Sequence, residues 1–219
     1  AGKPLPDSML TENPDDVRLG ASNLRKQIEN LRLHGVPVVV AINAFPSDFD
    51  SEHAVITEVA REMGARVEIC THVKDGGAGA AVLAQAVVDA AEEPSQFEML
   101  YPNELSLTDK IETIAQRVYG ADAIDCSPVA KRQLAHFTAQ GFGHLPVCVA
   151  KTHLSLSSDA GLPGAPTGWR MPVREVRLSA GAGFVYALCG DIRTMPGLGA
   201  NPAAAAMDIN EMGEIEGLF

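Results

Sequence analysis

Residues 35–48 read GVPVVVAINAFPSD, and this stretch decides the fold. The segment VPVVVAIN is a nearly continuous apolar, β-branched run, the pattern of a strand buried on both faces of a parallel sheet. Gly35 ahead of it is the stop of a helix, and the segment AINAFPSD follows at the strand's carboxyl end. In open α/β sheets that end is where ligands sit.

Upstream, Val17, Ala21, Leu24, Ile28 and Leu31 recur at steps of four and three, which predicts an amphipathic helix over 13–34. Downstream the pattern repeats. A helix is expected over 51–63 with Gly64 as its stop, then a strand RVEICTHV, then an alanine-rich helix from about Ala78 to Glu92 opened by glycines. Strand and helix in alternation imply a parallel α/β layer. A proline-containing connector leads to the helix TDKIETIAQRVYG and the strand AIDCS, where Ser127 caps a helix that carries Pro128 first and stops at Gly141. The strand LPVCVAK precedes HLSLSSDAGLPGAPTGWRMP, whose Ser, Gly and Pro content reads as a long loop. VREVRLSA and GFVYALCG have strand character, and MDINEMGEIEGLF suggests a closing hairpin. The expected fold is α/β, a mainly parallel sheet flanked by helices, with a smaller C-terminal α/β domain ending in a hairpin. The expected division is 1–120 and 121–219.

With 219 residues and 46% hydrophobic content the chain can bury a core in one or two domains. Its formal net charge of -11 and lack of clustered Lys and Arg argue against a nucleic-acid surface. No stretch approaches the roughly 20 apolar residues of a membrane span. Cys70, Cys126, Cys148 and Cys189 form no C-x-x-C pair and lie mostly in apolar runs, as reduced core thiols of a cytoplasmic protein do. The first residues, AGKPLPDSMLTENP, lack an initiator Met and the order of a signal peptide, and read as the cut end of a longer chain.

Three segments are candidates for chemistry. Phe45 and Pro46 lie where a flat heterocycle could stack, the alternative being that Phe45 folds back into the core. The guanine-reading N-K-x-D is excluded, because Ala44 and Pro46 occupy its Lys and Asp positions. The second segment is THVKDGGAGA, where Gly76, Gly77 and Gly79 open a helix whose N-H groups, with Lys74, could take an anion; the plain alternative is a tight turn with close helix–sheet packing. The third gathers Lys151, His153, Trp169, Arg170, Arg174 and Arg177, either to bind an anion or to pair with an acidic surface. No nucleotide-binding loop, catalytic triad or metal-ligand spacing is present, and the six histidines pair with nothing by spacing.

Taken together, GVPVVVAINAFPSD, DGGAGA, YGAD, LPVCVAKTHLSLSSD, GAPTGWRMPVREVR, AGAGFVYALCGDIRTMPGL and IEGLF resemble, in the same order, the carboxyl-terminal part of formate-tetrahydrofolate ligase. The likeness covers essentially the whole chain. It implies an enzyme that makes 10-formyltetrahydrofolate from formate, tetrahydrofolate and ATP through formyl phosphate. It also implies a Mg requirement, a response to monovalent cations such as potassium or ammonium, and a homotetramer. The family's nucleotide site lies in an amino-terminal domain that nothing here matches, so the resemblance implies a chain inactive alone. It further implies that residues 1–120 are the folate side. There Phe45 and Pro46 match the aromatic-proline pair that stacks the pterin, while Val73 stands where the family has a second stacking residue, a Trp. Two other readings stay open: a non-catalytic assembly module of the same enzyme, and an independent α/β protein that binds another heterocycle.

Overall fold

The structure, a computed structural model, describes residues 9–151, 156–190, 192, 203–213 and 215–217. The chain enters through α1 (Pro14–Gly20) and α2 (Ser22–Arg32), then builds β1 (Val39–Asn43), α3 (Asp50–Glu62) and β2 (Arg66–Cys70). A one-turn α4 (His72–Asp75) and a 3-10 turn (Gly76–Ala80) lead into α5 (Ala81–Ala91). After a connector come α6 (Leu107–Arg117), β3 (Ala123–Cys126), α7 (Pro128–Ala139), β4 (Val147–Ala150), β5 (Arg170–Ser179) and β6 (Phe184–Cys189). The strands β7 (Asp208–Ile209) and β8 (Ile215–Glu216) pair as the expected antiparallel hairpin.

The architecture is mixed α/β with mostly parallel strand pairing flanked by helices. β1 and β2 run parallel, in register from Val39↔Arg66 to Asn43↔Cys70. The second sheet has the order β3-β5-β6-β4, with β3/β5 and β4/β6 parallel and β5/β6 an antiparallel hairpin. Ile28, Val38, Ile42, Ala60, Ala65 and Val67 close the core of the first sheet. Leu107, Ile111, Leu134, Met171, Val176 and Val185 are among those that fill the second. Helix α6 buries its apolar face in this second core although it precedes residue 120. We therefore propose that the division between the two halves falls in the connector 92–106 instead.

Several expectations change in the structure. The single helix over 13–34 is two, parted at Ala21, where Gly20 and Ser22 weaken the helix and the Ala21 N-H turns back to Arg18 O at 3.3 Å. Leu31 of the expected apolar stripe is half exposed. The strand RVEICTHV stops at Cys70, so Val73 and Lys74 belong to α4. The loop expected to run to Pro172 ends sooner, because Arg170, Met171 and Pro172 already pair with β3. Pro172 is tolerated in this interior strand because β6 pairs with β5 only from Val173 onward, and a bulge follows between Val173 and Glu175.

The most consequential change concerns β1. Val38 and Ile42 are buried, but on the other face Ala41 and Asn43 are exposed. The Arg66 N-H donates to Val38 O at 3.1 Å and the Ala44 N-H to Cys70 O at 3.0 Å, so the even-numbered residues address β2. Val39, Ala41 and Asn43 turn their backbone groups the other way, to an edge that no strand occupies among the described residues. A strand composed for burial on both faces thus lies at the margin of a two-stranded sheet.

Among the described residues no helix is long and apolar enough to cross a membrane. The four cysteines are free; Cys148 is exposed, against the expectation of a core thiol.

Lys110 on α6 is fully buried and donates from Nζ to Gly143 O and Leu145 O, each at 3.0 Å. It ties α6 to the turn ahead of β4. Burial lowers its pKa below that of a free lysine, and the two carbonyls compensate for the lost water. Lys110→Met leaves both carbonyls without their donor and is expected to destabilise the chain by about 1–3 kcal/mol in urea unfolding. A change within about 0.5 kcal/mol would show that this tie does not stabilise the fold.

Candidate functional site

Parallel pairing sets the carboxyl ends of β1 and β2 side by side, because Asn43 and Cys70 are register partners. The chain leaves β1 through Ala44 and enters a turn at Phe45–Asp48. Pro46 is at the second position, where its fixed φ suits the turn. The turn is closed twice, by the Asp48 N-H donating to Phe45 O at 3.0 Å and by the Phe45 N-H donating to Asp48 Oδ2 at 2.8 Å. Phe45 does not fold back into the core: it is 48% exposed and belongs to none of the buried apolar clusters.

The chain leaves β2 through Thr71 into α4, which carries Val73, 49% exposed, and Lys74, also exposed. Phe45, Pro46, Val73 and Lys74 therefore share one sheet edge, although 28 positions separate Phe45 from Val73 in sequence. Cys70 at the end of β2 is buried, and its thiol lies 3.1 Å from His72 Nδ1.

The three glycines of the same edge have unequal tasks. Gly76 has φ 59° and ψ -145°, a conformation that a side chain strains. Gly79 packs on Thr71: a Cβ there would lie 2.5 Å from Thr71 Oγ1 and 2.7 Å from its carbonyl carbon. Thr71 also donates its N-H to Gly79 O at 3.0 Å. Gly77 meets nothing within 4 Å. The Thr71 hydroxyl donates to Asp75 Oδ2 at 2.8 Å, and Lys74 is exposed. Close packing and the turn account for Gly76 and Gly79.

Two residues that sequence reading passed over complete the edge. Asp48 fastens the Phe45 turn, and His53 on α3 donates from Nε2 to the same Asp48 Oδ2 at 3.4 Å. The three-residue step from Phe45 to Asp48 around Pro46 was a readable turn signal; the approach of His53 depends on how α3 docks. Both residues also line a cleft of about 560 Å³ along the open side of β1, with Asn43 and Glu52.

A larger cleft, about 830 Å³, lies between α6 and α7 over Ile124–Cys126. No aromatic side chain lines it, and at its rim Arg170 grips Asp125 through Nε and Nη2 at 2.8–3.0 Å. That guanidinium holds the Asp125 carboxyl below the usual carboxylate range. The sheet edge at Phe45 is the better candidate, since it joins an exposed aromatic to a rigid turn.

The cationic segment resolves into structural pairings. Arg177 pairs with Glu175 at 2.9 Å, Arg174 donates to Ile192 O at 3.4 Å, and the buried Trp169 donates to Pro166 O at 3.1 Å. Lys151 is buried with its ammonium 5.6 Å from the Tyr119 ring centre, and burial lowers its pKa. His153 lies outside the described residues. Burial pushes the Cys189 thiol up to about 12, which keeps it protonated and unreactive. Among the described residues no three His, Cys, Asp or Glu side chains converge as a metal site.

The family model for formate–tetrahydrofolate ligase matches residues 1–219. The chain is 64% identical over 218 residues to the formate–tetrahydrofolate ligase of Saccharopolyspora erythraea, covering all of this chain and 39% of that protein. It is 55% identical over 228 residues to formate–tetrahydrofolate ligase 3 of Rubrobacter xylanophilus, covering all of this chain and 40% of the relative. The ligase of Cutibacterium acnes is 55% identical over 218 residues, again with 39% of its length covered. The chain thus spans about two fifths of the curated relatives it matches.

Gly79→Ala forces a methyl group into Thr71 and is expected to destabilise the chain by about 1–3 kcal/mol. Gly77→Ala, facing open space, is expected to stay within about 0.5 kcal/mol of the parent in the same thermal unfolding series. Equal effects of the two substitutions would contradict the packing task given to Gly79.

Proposed function

This chain belongs to the formate–tetrahydrofolate ligase family, and from that premise we propose that it supplies the folate-binding side of a ligase that makes 10-formyltetrahydrofolate from formate, tetrahydrofolate and ATP. The supporting observation is Phe45, an aromatic ring half exposed at the carboxyl end of β1 on a doubly closed turn. In this reading the pterin ring stacks on Phe45 and Pro46. Val73, from the neighbouring strand end, covers the other face by dispersion in place of an aromatic partner. Lys74 beside it is a cation for the acidic tail of the folate.

ATP and formate handling falls, in this proposal, to the portion of the longer relatives that this chain does not span. The open edge of β1 is then where that portion adds a strand. Such pairing would satisfy the backbone groups of Val39, Ala41 and Asn43. The chain alone binds folate without turning it over. Magnesium and a monovalent cation are requirements of the whole enzyme in this reading. The described residues offer Mg no converging donor set.

A second reading, as an assembly module of the same enzyme, has one observation in its favour. Helix α5 buries Ala86 and Ala90 but exposes Val82, Val87 and Val88, apolar side chains at separate positions round the helix that oligomer contacts would cover. A strict monomer in light scattering at high protein concentration would count against it.

Calorimetric titration with tetrahydrofolate tests the first reading. Saturable binding is expected, weakened roughly 2- to 12-fold by Phe45→Ala, the range for losing a stacked ring. Val73→Trp restores a second aromatic face and is expected to tighten binding by about 0.5–1.5 kcal/mol. No binding, or binding indifferent to both substitutions, would overturn the folate assignment.

A further inference from the structure

Because Phe45 belongs to no apolar cluster, the direction in which its ring leaves the backbone is set by the turn and not by packing. That turn depends on one carboxylate oxygen: Asp48 Oδ2 accepts the Phe45 N-H at 2.8 Å, and the Asp48 N-H returns to Phe45 O at 3.0 Å. Asp48 is itself partly in water, its side chain 32% exposed. A carboxylate on two rotatable bonds in that position exchanges the Phe45 N-H for solvent unless something else fixes it.

His53 does so. It stands in the first turn of α3 with its N-H donating to Phe49 O at 3.2 Å, and its side chain is only 11% exposed. Its Nε2 points at the same Asp48 Oδ2, 3.4 Å away. The imidazole is held by the helix and by its burial, so it is the rigid member of the pair. Asp48 thereby links the helix to the aromatic turn in a chain that runs from His53 through Asp48 to the Phe45 N-H.

We propose that His53 is a positioning residue for ligand stacking on Phe45, acting through Asp48. The proposal rests on the folate reading of Phe45 given above and adds to it a residue that touches no ligand. A residue that merely stabilised the fold would alter unfolding without selectively altering affinity, and a histidine that merely filled space would not be replaced by glutamine. Glutamine carries an amide N-H that reaches about as far as Nε2 and restores the bond to Asp48.

The test is calorimetric titration of tetrahydrofolate into the 219-residue chain and into Phe45→Ala, His53→Ala and His53→Gln, with thermal unfolding of each. His53→Ala is expected to weaken binding roughly fivefold, the size of one hydrogen bond, and His53→Gln to return it to within about twofold. Rescue of affinity by Gln at matched unfolding temperature supports the positioning role. Parent-like binding by His53→Ala while Phe45→Ala loses it overturns that role and leaves the folate reading standing, and so does equal weakening by both His53 substitutions. No saturable binding by the parent, or full binding by Phe45→Ala, overturns the folate reading itself and this inference with it.

Discussion

The site depends on the parallel pairing of β1 with β2. Parallel strands present their carboxyl ends at the same side of a sheet, so residues that follow the two strands meet however far apart they are in sequence. The register Asn43↔Cys70 makes the Phe45 turn and α4 neighbours. A shift of one residue would turn the side chains of β2 to the opposite faces and withdraw Val67 from the core of Ile28, Val38 and Ile42. Apolar burial on one face of the pair thus holds the register, and the register places Phe45 and Val73.

The same pair of strands carries the strongest sign of a surface built for further contacts. Val39, Ala41 and Asn43 face an edge without a partner strand among the described residues, and α5 turns three valines to solvent. Edge strands that end on water are usually blunted by charge, proline or bulges. β1 has none of these over Val39–Asn43. The composition of this half is consistent with the relatives being about two and a half times longer than the segment matched here.

Much of the fold was legible in the sequence because local chemistry dictated it. Ser127 accepts the Ala130 N-H at 3.0 Å with Pro128 opening α7, and Gly35, Gly64 and Gly141 take the positive φ that stops a helix. The strand β1 was plain from its β-branched run. What was not legible depends on tertiary placement. Exposure of Ala41 follows from which strands are present, and the presence of Pro172 in β5 from where β6 ends. Likewise the pairing of Arg170 with Asp125 and the approach of His53 to Asp48 join residues whose spacing carries no signal. At the candidate site, position after a buried strand pointed to Phe45 and Pro46, but the choice between core and surface needed the packing of the turn.

The proposed folate platform is the shared end of β1 and β2, where Asn43 and Cys70 are register partners. Titrating tetrahydrofolate into isotopically labelled protein while following backbone amide resonances tests it most directly. Saturating shifts concentrated at 45–48 and 71–77, with the cleft between α6 and α7 unchanged, are the result expected. Shifts centred on Ile124–Cys126 and Arg170 with the Phe45 turn undisturbed would contradict it.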